Sequence, residues 1–392
     1  MIALPRRRFL AQSLSLCAAV GIGSASVAFA AQPEGANRRR ILVLIELKGG
    51  NDGLNTLVPF ADDAYYALRP RIAIARDNVV RLSDQAGLHP SLAPLLPLWQ
   101  ANRLAVLQSV GYPAPNLSHF RSIEIWDTAS ASDETLADGW LARAFANGRE
   151  RAGSAADGVI IGSNEIGPLA GRESRAIALA DTGSFRRRAR LAQMPAERGN
   201  RALAHIGKVE ADIVAAAAKL IDDHAFTTSF PSGPFGAAVR TACQVIASPI
   251  GAAVVRLTLD GFDTHANQPA THARLLGELA NAIVALEAAL TEIGRFDDAL
   301  VLTYAEFGRR PRENLNAGTD HGTASVHFAL GGRVRGGFFG NAADLARLDG
   351  GGNVAHALDF RAVYATVLER WWGIDSRAAL RGRFTPVNFI DA

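Results

Sequence analysis

The sequence predicts an α/β fold built on a mainly parallel sheet. Three features predict it: short apolar runs without polar alternation, amphipathic helices between them, and polar glycine-containing loops directly after the runs. A strand buried on both faces reads as an unbroken apolar run, and alternation of such runs with helices is the signature of parallel strands. Ligands of such sheets bind beyond the carboxyl ends of the strands, so chemistry is sought just after each run.

The first run is Ile41–Leu47, closed by Gly49-Gly50. Similar runs are Leu104–Leu107, Val159–Ile161, Ala252–Leu259 and Ala299–Tyr304, with a strand-like Val326–Leu330 later on. Between them, Leu275, Leu279, Ile283, Leu286, Leu290 and Ile293 recur at helical spacing. Leu203, Ile206, Val209, Ile213 and Leu220 form a second helical face, and Phe360 to Trp372 a third. Residues 170–222, rich in Arg and Ala, read as a helical insertion or lid. At 392 residues the chain suits one large domain over 31–392 after a leader of 1–30.

That leader has the three parts of an export signal: basic Arg6-Arg7-Arg8, an apolar Phe9–Val20, and small residues ending in Ala28-Phe29-Ala30. Arg6-Arg7-Arg8-Phe9-Leu10 fits the twin-arginine pattern, which carries folded cargo. The expected location is therefore periplasmic or secreted, with the Tat translocase as a partner during export. Residues 1–30 also hold three arginines and no acid, so the formal charge of +3 vanishes in the remainder. A neutral mature chain gives no reason to expect nucleic acid. Nothing after residue 40 approaches the length of a membrane span. Cys243 is then the one remaining cysteine, expected to be buried.

The strand-end loops carry unusual polar residues. Lys48-Gly49-Gly50-Asn51-Asp52-Gly53 puts a carboxylate at a strand tip, although Asp52 equally suits a helix cap. Asp260-Gly261-Phe262-Asp263-Thr264-His265 can bring Asp263 and His265 onto one cation. Glu306 follows a buried strand and requires either a partner such as Arg309 or a metal ion. Gly318-Thr319-Asp320-His321-Gly322 presents a second Asp-His pair. In Asn116-Leu117-Ser118-His119-Phe120, Asn116 or Ser118 suits the N-cap of a helix over Phe120 to Thr128, and a serine hydroxyl at such a terminus is also where an alkoxide or bound anion is favoured. There is no G-x-S-x-G elbow, H-E-x-x-H motif, Walker loop or G-x-G-x-x-G fingerprint.

Together the leader, LIELKGGNDGLNTLVP, NLSHFRS, GFDTHANQ, YAEFGRRPREN and GTDHGTA resemble the bacterial Tat-exported family called domain of unknown function 1501. The resemblance runs from about residue 40 to near the C-terminus and is specific in its motif order. The family is grouped with the alkaline phosphatase and sulfatase superfamily. That grouping implies a three-layer α/β/α sandwich and a divalent metal ion, whether zinc, manganese or calcium. It makes an anionic phosphate or sulfate ester the expected substrate.

Residue by residue, the resemblance makes Ser118 the nucleophile and Arg309 or Arg121 a binder of anionic oxygen. It makes Asp52, Asp263, His265, Glu306, Asp320 and His321 metal ligands. Asp263, His265 and His321 form one group under this reading, and Asp52, Ser118 and Glu306 a second. Two departures stand out: Asp263 and His265 are two apart where the superfamily has four, and Phe307 stands where a ligand histidine is expected. A rival alignment makes Asp320-His321-Gly322 the superfamily's Asp-His-Gly motif. The alternative function is a non-catalytic periplasmic binding or assembly protein on the same fold.

Overall fold

The computed structural model describes residues 40–146, 154–172, 174–190, 201–220 and 224–391. The export signal expected over residues 1–30 lies outside the described residues. Among those described, no helix is long and apolar enough to cross a membrane.

Among the described residues, nine strands form the central sheet. They are β1 (Ile41–Lys48), β2 (Leu104–Gly111), β3 (Gly158–Ile161), β4 (Ala176–Leu179), β5 (Val254–Asp260), β6 (Ala299–Tyr304), β7 (Ser325–Leu330), β8 (Gly337–Phe339) and β9 (Leu358–Asp359). Their order is β8-β2-β7-β6-β1-β5-β3-β4, with β9 also pairing with β2. β1 sits between β5 and β6, parallel to both, with Leu42 opposite Val254 and Leu300. Only β7 runs against its neighbours, β2 and β6. The tips of β1, β2, β5 and β6 therefore share one edge with the start of β7, and the candidate site is built there.

Apolar residues on both faces make the sheet the middle of three layers. Val43, Ile45, Val255 and Leu257 pack against α2 (Pro234–Ala247) and α3 (Gln268–Glu292). Leu42, Leu44, Leu300 and Leu302 pack against α1 (His119–Thr128) and α4 (Phe360–Ala365) through Trp126, Phe360 and Tyr364. Alternate residues of one strand thus enter opposite cores, which is why Ile41–Leu47 shows no polar period. Cys243 is fully buried on α2, as its isolation suggested.

The region 170–222 differs from the expected lid. Ala176–Leu179 is β4, the edge strand of the sheet, paired in parallel with β3. Its four residues are too few to show a period among the helix-forming residues around them. Helices Thr182–Ala189 and Arg201–Lys219 do follow.

Candidate metal centre at the carboxyl edge of the sheet

The loop after β1 is shaped by glycines. Gly49 has φ +114°, and a β-carbon there would collide with the Asp263 amide nitrogen; at Gly50 (φ +80°) it would collide with the Phe307 ring. The β1 tip can therefore lie directly against the loops after β5 and β6. Gly49 serves both. Its amide donates to Glu306 Oε1 at 3.0 Å, and its carbonyl accepts from Arg309 Nη2.

Asp263 is the centre of the site. Arg309 Nη2 donates to its Oδ1 at 2.6 Å. His265 Nε2 lies 3.0 Å and His321 Nε2 3.3 Å from that same oxygen, and His119 Nε2 lies 3.5 Å from Oδ2. Burial alone would raise the Asp263 pKa, but the hydrogen bond and charge of Arg309 outweigh it and hold the carboxyl below its ordinary value.

Each of the three imidazoles turns its other nitrogen to an oxygen. His119 Nδ1 donates to Glu306 Oε1 at 2.7 Å. His321 Nδ1 donates to the Leu117 carbonyl at 2.8 Å, and His265 Nδ1 lies 3.5 Å from Asp320 Oδ1. A proton held on Nδ1 of His119 and of His321 leaves the Nε2 lone pair of each free, so two lone pairs converge on one carboxylate with His265 Nε2 beside them. The Glu306 hydrogen bond raises the pKa of His119, whereas burial lowers that of His321. The Phe307 ring packs against both, with centroids 4.9 Å from His119 and 4.5 Å from His321. The aromatic residue in the place of an expected ligand thus fixes the planes of two imidazoles.

The donor set fits a small divalent ion. His119, Asp263 and His321 each offer an atom within 4.8 Å of the others, and His265 Nε2 stands 3.0 Å from His321 Nε2. Bonds of about 2.1 Å in a tetrahedral site imply ligand atoms about 3.4 Å apart. The observed carboxylate-to-imidazole separations of 3.0 to 3.5 Å bracket that value.

The other expected site residues are placed differently. Asp52 is fully buried and clamped by Arg69, with Nη1 to Oδ2 at 2.6 Å and Nη2 to Oδ1 at 3.0 Å. Gln268 and the Leu54 amide take its remaining capacity, so Asp52 caps a short helix and does not join the cluster. Glu306 is buried and engages Gly49 and His119 through Oε1; it stands behind His119. Asp320 is half exposed and faces Asn314 and His265.

Arg309 pairs with Asp263 instead of Glu306, and its remaining donors go to the carbonyls of Gly49, Gly50, Phe262 and Thr319. With its side chain fully buried it has no fork to offer a substrate. Arg121 is similarly committed, to Glu124 and to the carbonyls of Ala131, Ser132 and Glu134. Ser118 is exposed at the N-cap of α1, with no capping bond from its side chain.

The residue that sequence reasoning passed over is His119. Its signal was present in Ser118-His119-Phe120, but a histidine at the first position of a helix reads as surface. Away from the site, His327 is buried on β7 with neither nitrogen bonded, and His89 caps a 3₁₀ turn.

The chain belongs to the protein family of unknown function DUF1501, whose model matches residues 39–383. No curated protein matches it in sequence. Solved structures similar to it include the PsFucS1 sulfatase from a Pseudoalteromonas species, with 10% identity, TM-score 0.39, 90% of this chain and 71% of that one covered. The alkaline phosphatase from the Antarctic bacterium TAB5 gives 10% identity, TM-score 0.34, and coverage of 75% and 92%. The C-terminal periplasmic domain of EcEptC from Escherichia coli, in complex with Zn, gives 10%, 0.36, 76% and 74%. Similarities of this size do not equate two sites, so the chemistry rests on the residues of this chain.

Proposed function

We propose that this DUF1501 member is an exported, metal-dependent hydrolase of phosphate or sulfate esters, carried across the membrane by the Tat translocase. One observation carries the reading: His119 and His321, each hydrogen-bonded at Nδ1, and His265 beside them all direct Nε2 at Asp263 on the carboxyl edge of a parallel sheet. Nitrogen-rich donors favour zinc over manganese, and leave calcium, which takes oxygen ligands, the weakest candidate.

A divalent ion held by His119, Asp263 and His321 would supply Lewis-acid polarisation of the ester and acidify a hydroxyl or water beside it. The chain's own part is positioning. Ser118, exposed at the N-cap of α1, follows Leu117, whose carbonyl anchors His321, and precedes the donor His119 in the chain. The N-terminus of α1 adds partial positive charge for an ester oxygen. Attack by Ser118 Oγ would form the seryl ester and release the alcohol, after which water restores the serine.

The alternative, a binding or assembly protein, draws on a specific observation: Arg121 and Arg309 are both spent on the protein's own groups. Metal analysis followed by an ester screen separates the two. Purified without chelator, the protein is expected to hold about one zinc per chain and to turn over an aryl phosphate or sulfate. Zinc without turnover on a broad panel would favour the binding protein. Absence of zinc after incubation with the ion would sink the hydrolase.

A further inference from the structure

Glu306 has the burial and strand-tip position of a ligand, yet its reachable oxygen is already shared. Oε1 accepts from the Gly49 amide at 3.0 Å and from His119 Nδ1 at 2.7 Å, while Oε2 is buried with no bonded partner. The convergent donor group, His119, Asp263 and His321, does not include it. We infer that Glu306 is a positioning residue, which holds His119 in the Nδ1–H tautomer so that Nε2 can bind the ion. The inference rests on the metal-binding half of the function proposed above and is independent of hydrolysis.

The geometry extends this to a small closed circuit. Gly49 donates its backbone N–H to Glu306 and accepts from Arg309 through its carbonyl. Glu306 orients His119, Arg309 orients Asp263, and His119 and Asp263 face one another. Two donors on different elements, α1 and the loop after β5, are thereby referred to one residue at the tip of β1. The Ser122 hydroxyl, one turn along α1 from His119, donates to the Glu306 carbonyl and ties the helix to the same loop. A carboxylate that accepts from the far nitrogen of a metal-binding histidine both selects the tautomer and raises the basicity of the metal-binding nitrogen.

The test uses the full mature chain with Glu306→Gln, Glu306→Ala and His119→Ala, each checked for folding by circular dichroism and melting temperature. Two readouts are taken. The first is the nitrogen-15 signature of His119 in the zinc-free protein, recorded near about pH 9, where the imidazole is neutral. The second is zinc affinity by competition with a chromophoric chelator.

The expected result is an Nδ1–H tautomer in the wild type and in Glu306→Gln, whose amide oxygen can still accept, and its loss in Glu306→Ala. Zinc affinity should fall by about 10- to 100-fold in Glu306→Ala and by less in Glu306→Gln. If both Glu306 variants lose zinc as completely as His119→Ala, Glu306 is a direct ligand and the inference is overturned. An unchanged tautomer in Glu306→Ala overturns it as well. A wild type that binds no zinc would end the hydrolase reading, while the tautomer comparison would still decide the role of Glu306.

Discussion

Asp52 and Asp263 follow neighbouring parallel strands, each a few residues beyond a strand tip and close to glycine, and they have opposite fates. Asp52 is sealed: Arg69 takes both oxygens in a fork, and neither side chain is exposed. Asp263 is held from one side only, by Arg309 at Oδ1, and its side chain is 46% exposed. A carboxylate with both oxygens bound to a buried guanidinium has spent its coordination on the fold. One gripped by a single donor is oriented and still available. Which of these a strand-end aspartate becomes is decided by where the nearest arginine stands.

The largest expected effect tests the sealed side. Arg69→Ala leaves a buried carboxylate without its partner, and Asp52→Asn leaves a buried guanidinium without its charge. Each should lower stability by about 3–5 kcal/mol in urea unfolding. Zinc affinity of any folded fraction should stay near wild type. A large loss of zinc affinity in a folded Asp52→Asn protein would show that the two aspartates belong to one site and would break the comparison.

A second test concerns a group sealed without any partner. His327 is buried with both nitrogens unbonded, and burial lowers its pKa to about 3. Its folded pKa lies below the unfolded value near 6.5, so its contribution is complete above that pH and is lost as pH falls toward 3. Between about pH 7 and pH 5 this amounts to roughly 1–2 kcal/mol. His327→Leu should reduce the acid loss of stability by that much. His89 and His272, lowered by burial to about 4, would supply the remainder. An unaltered pH profile in His327→Leu would mean that the site takes up water or protons in the native state.

The open side predicts the reverse pattern. Asp263→Asn keeps an oxygen for Arg309, and unlike Asp52 the replaced carboxylate is 46% exposed, so solvent screens the lost charge pair. Stability should change by less than about 1 kcal/mol. Zinc affinity should fall by at least about 100-fold, because the carboxylate that all three imidazoles face is gone. Loss of stability on the scale expected for Asp52 would place Asp263 among the structural residues.

These contrasts also explain what the sequence could convey. The sheet was legible because burial on both faces writes itself as unbroken apolar runs, and β4 escaped because four residues carry no period. Asp263, His265 and His321 stood out as polar groups on strand-end loops, and the structure brings them together. Asp52 matched the same pattern, but Arg69, which decides its role, lies 17 residues away in an unremarkable loop. Glu306 and His119 could not be sorted into anchor and donor from order along the chain, since the distinction is a single 2.7 Å hydrogen bond between residues 187 apart.

The smallest structural effect belongs to Ser118, and it reads the chemistry of the open side most directly. The side chain makes no capping bond and is exposed, so Ser118→Ala should alter stability by no more than about 0.5 kcal/mol. His119, Asp263 and His321 converge without needing it, so zinc affinity should hold as well. If the hydroxyl is the nucleophile, turnover of an aryl ester should drop by at least about 100-fold while zinc stays bound. Turnover that survives at wild-type rate would leave the metal site intact as the seat of hydrolysis but assign the attack to water, since the only change is the loss of one exposed oxygen beside His119.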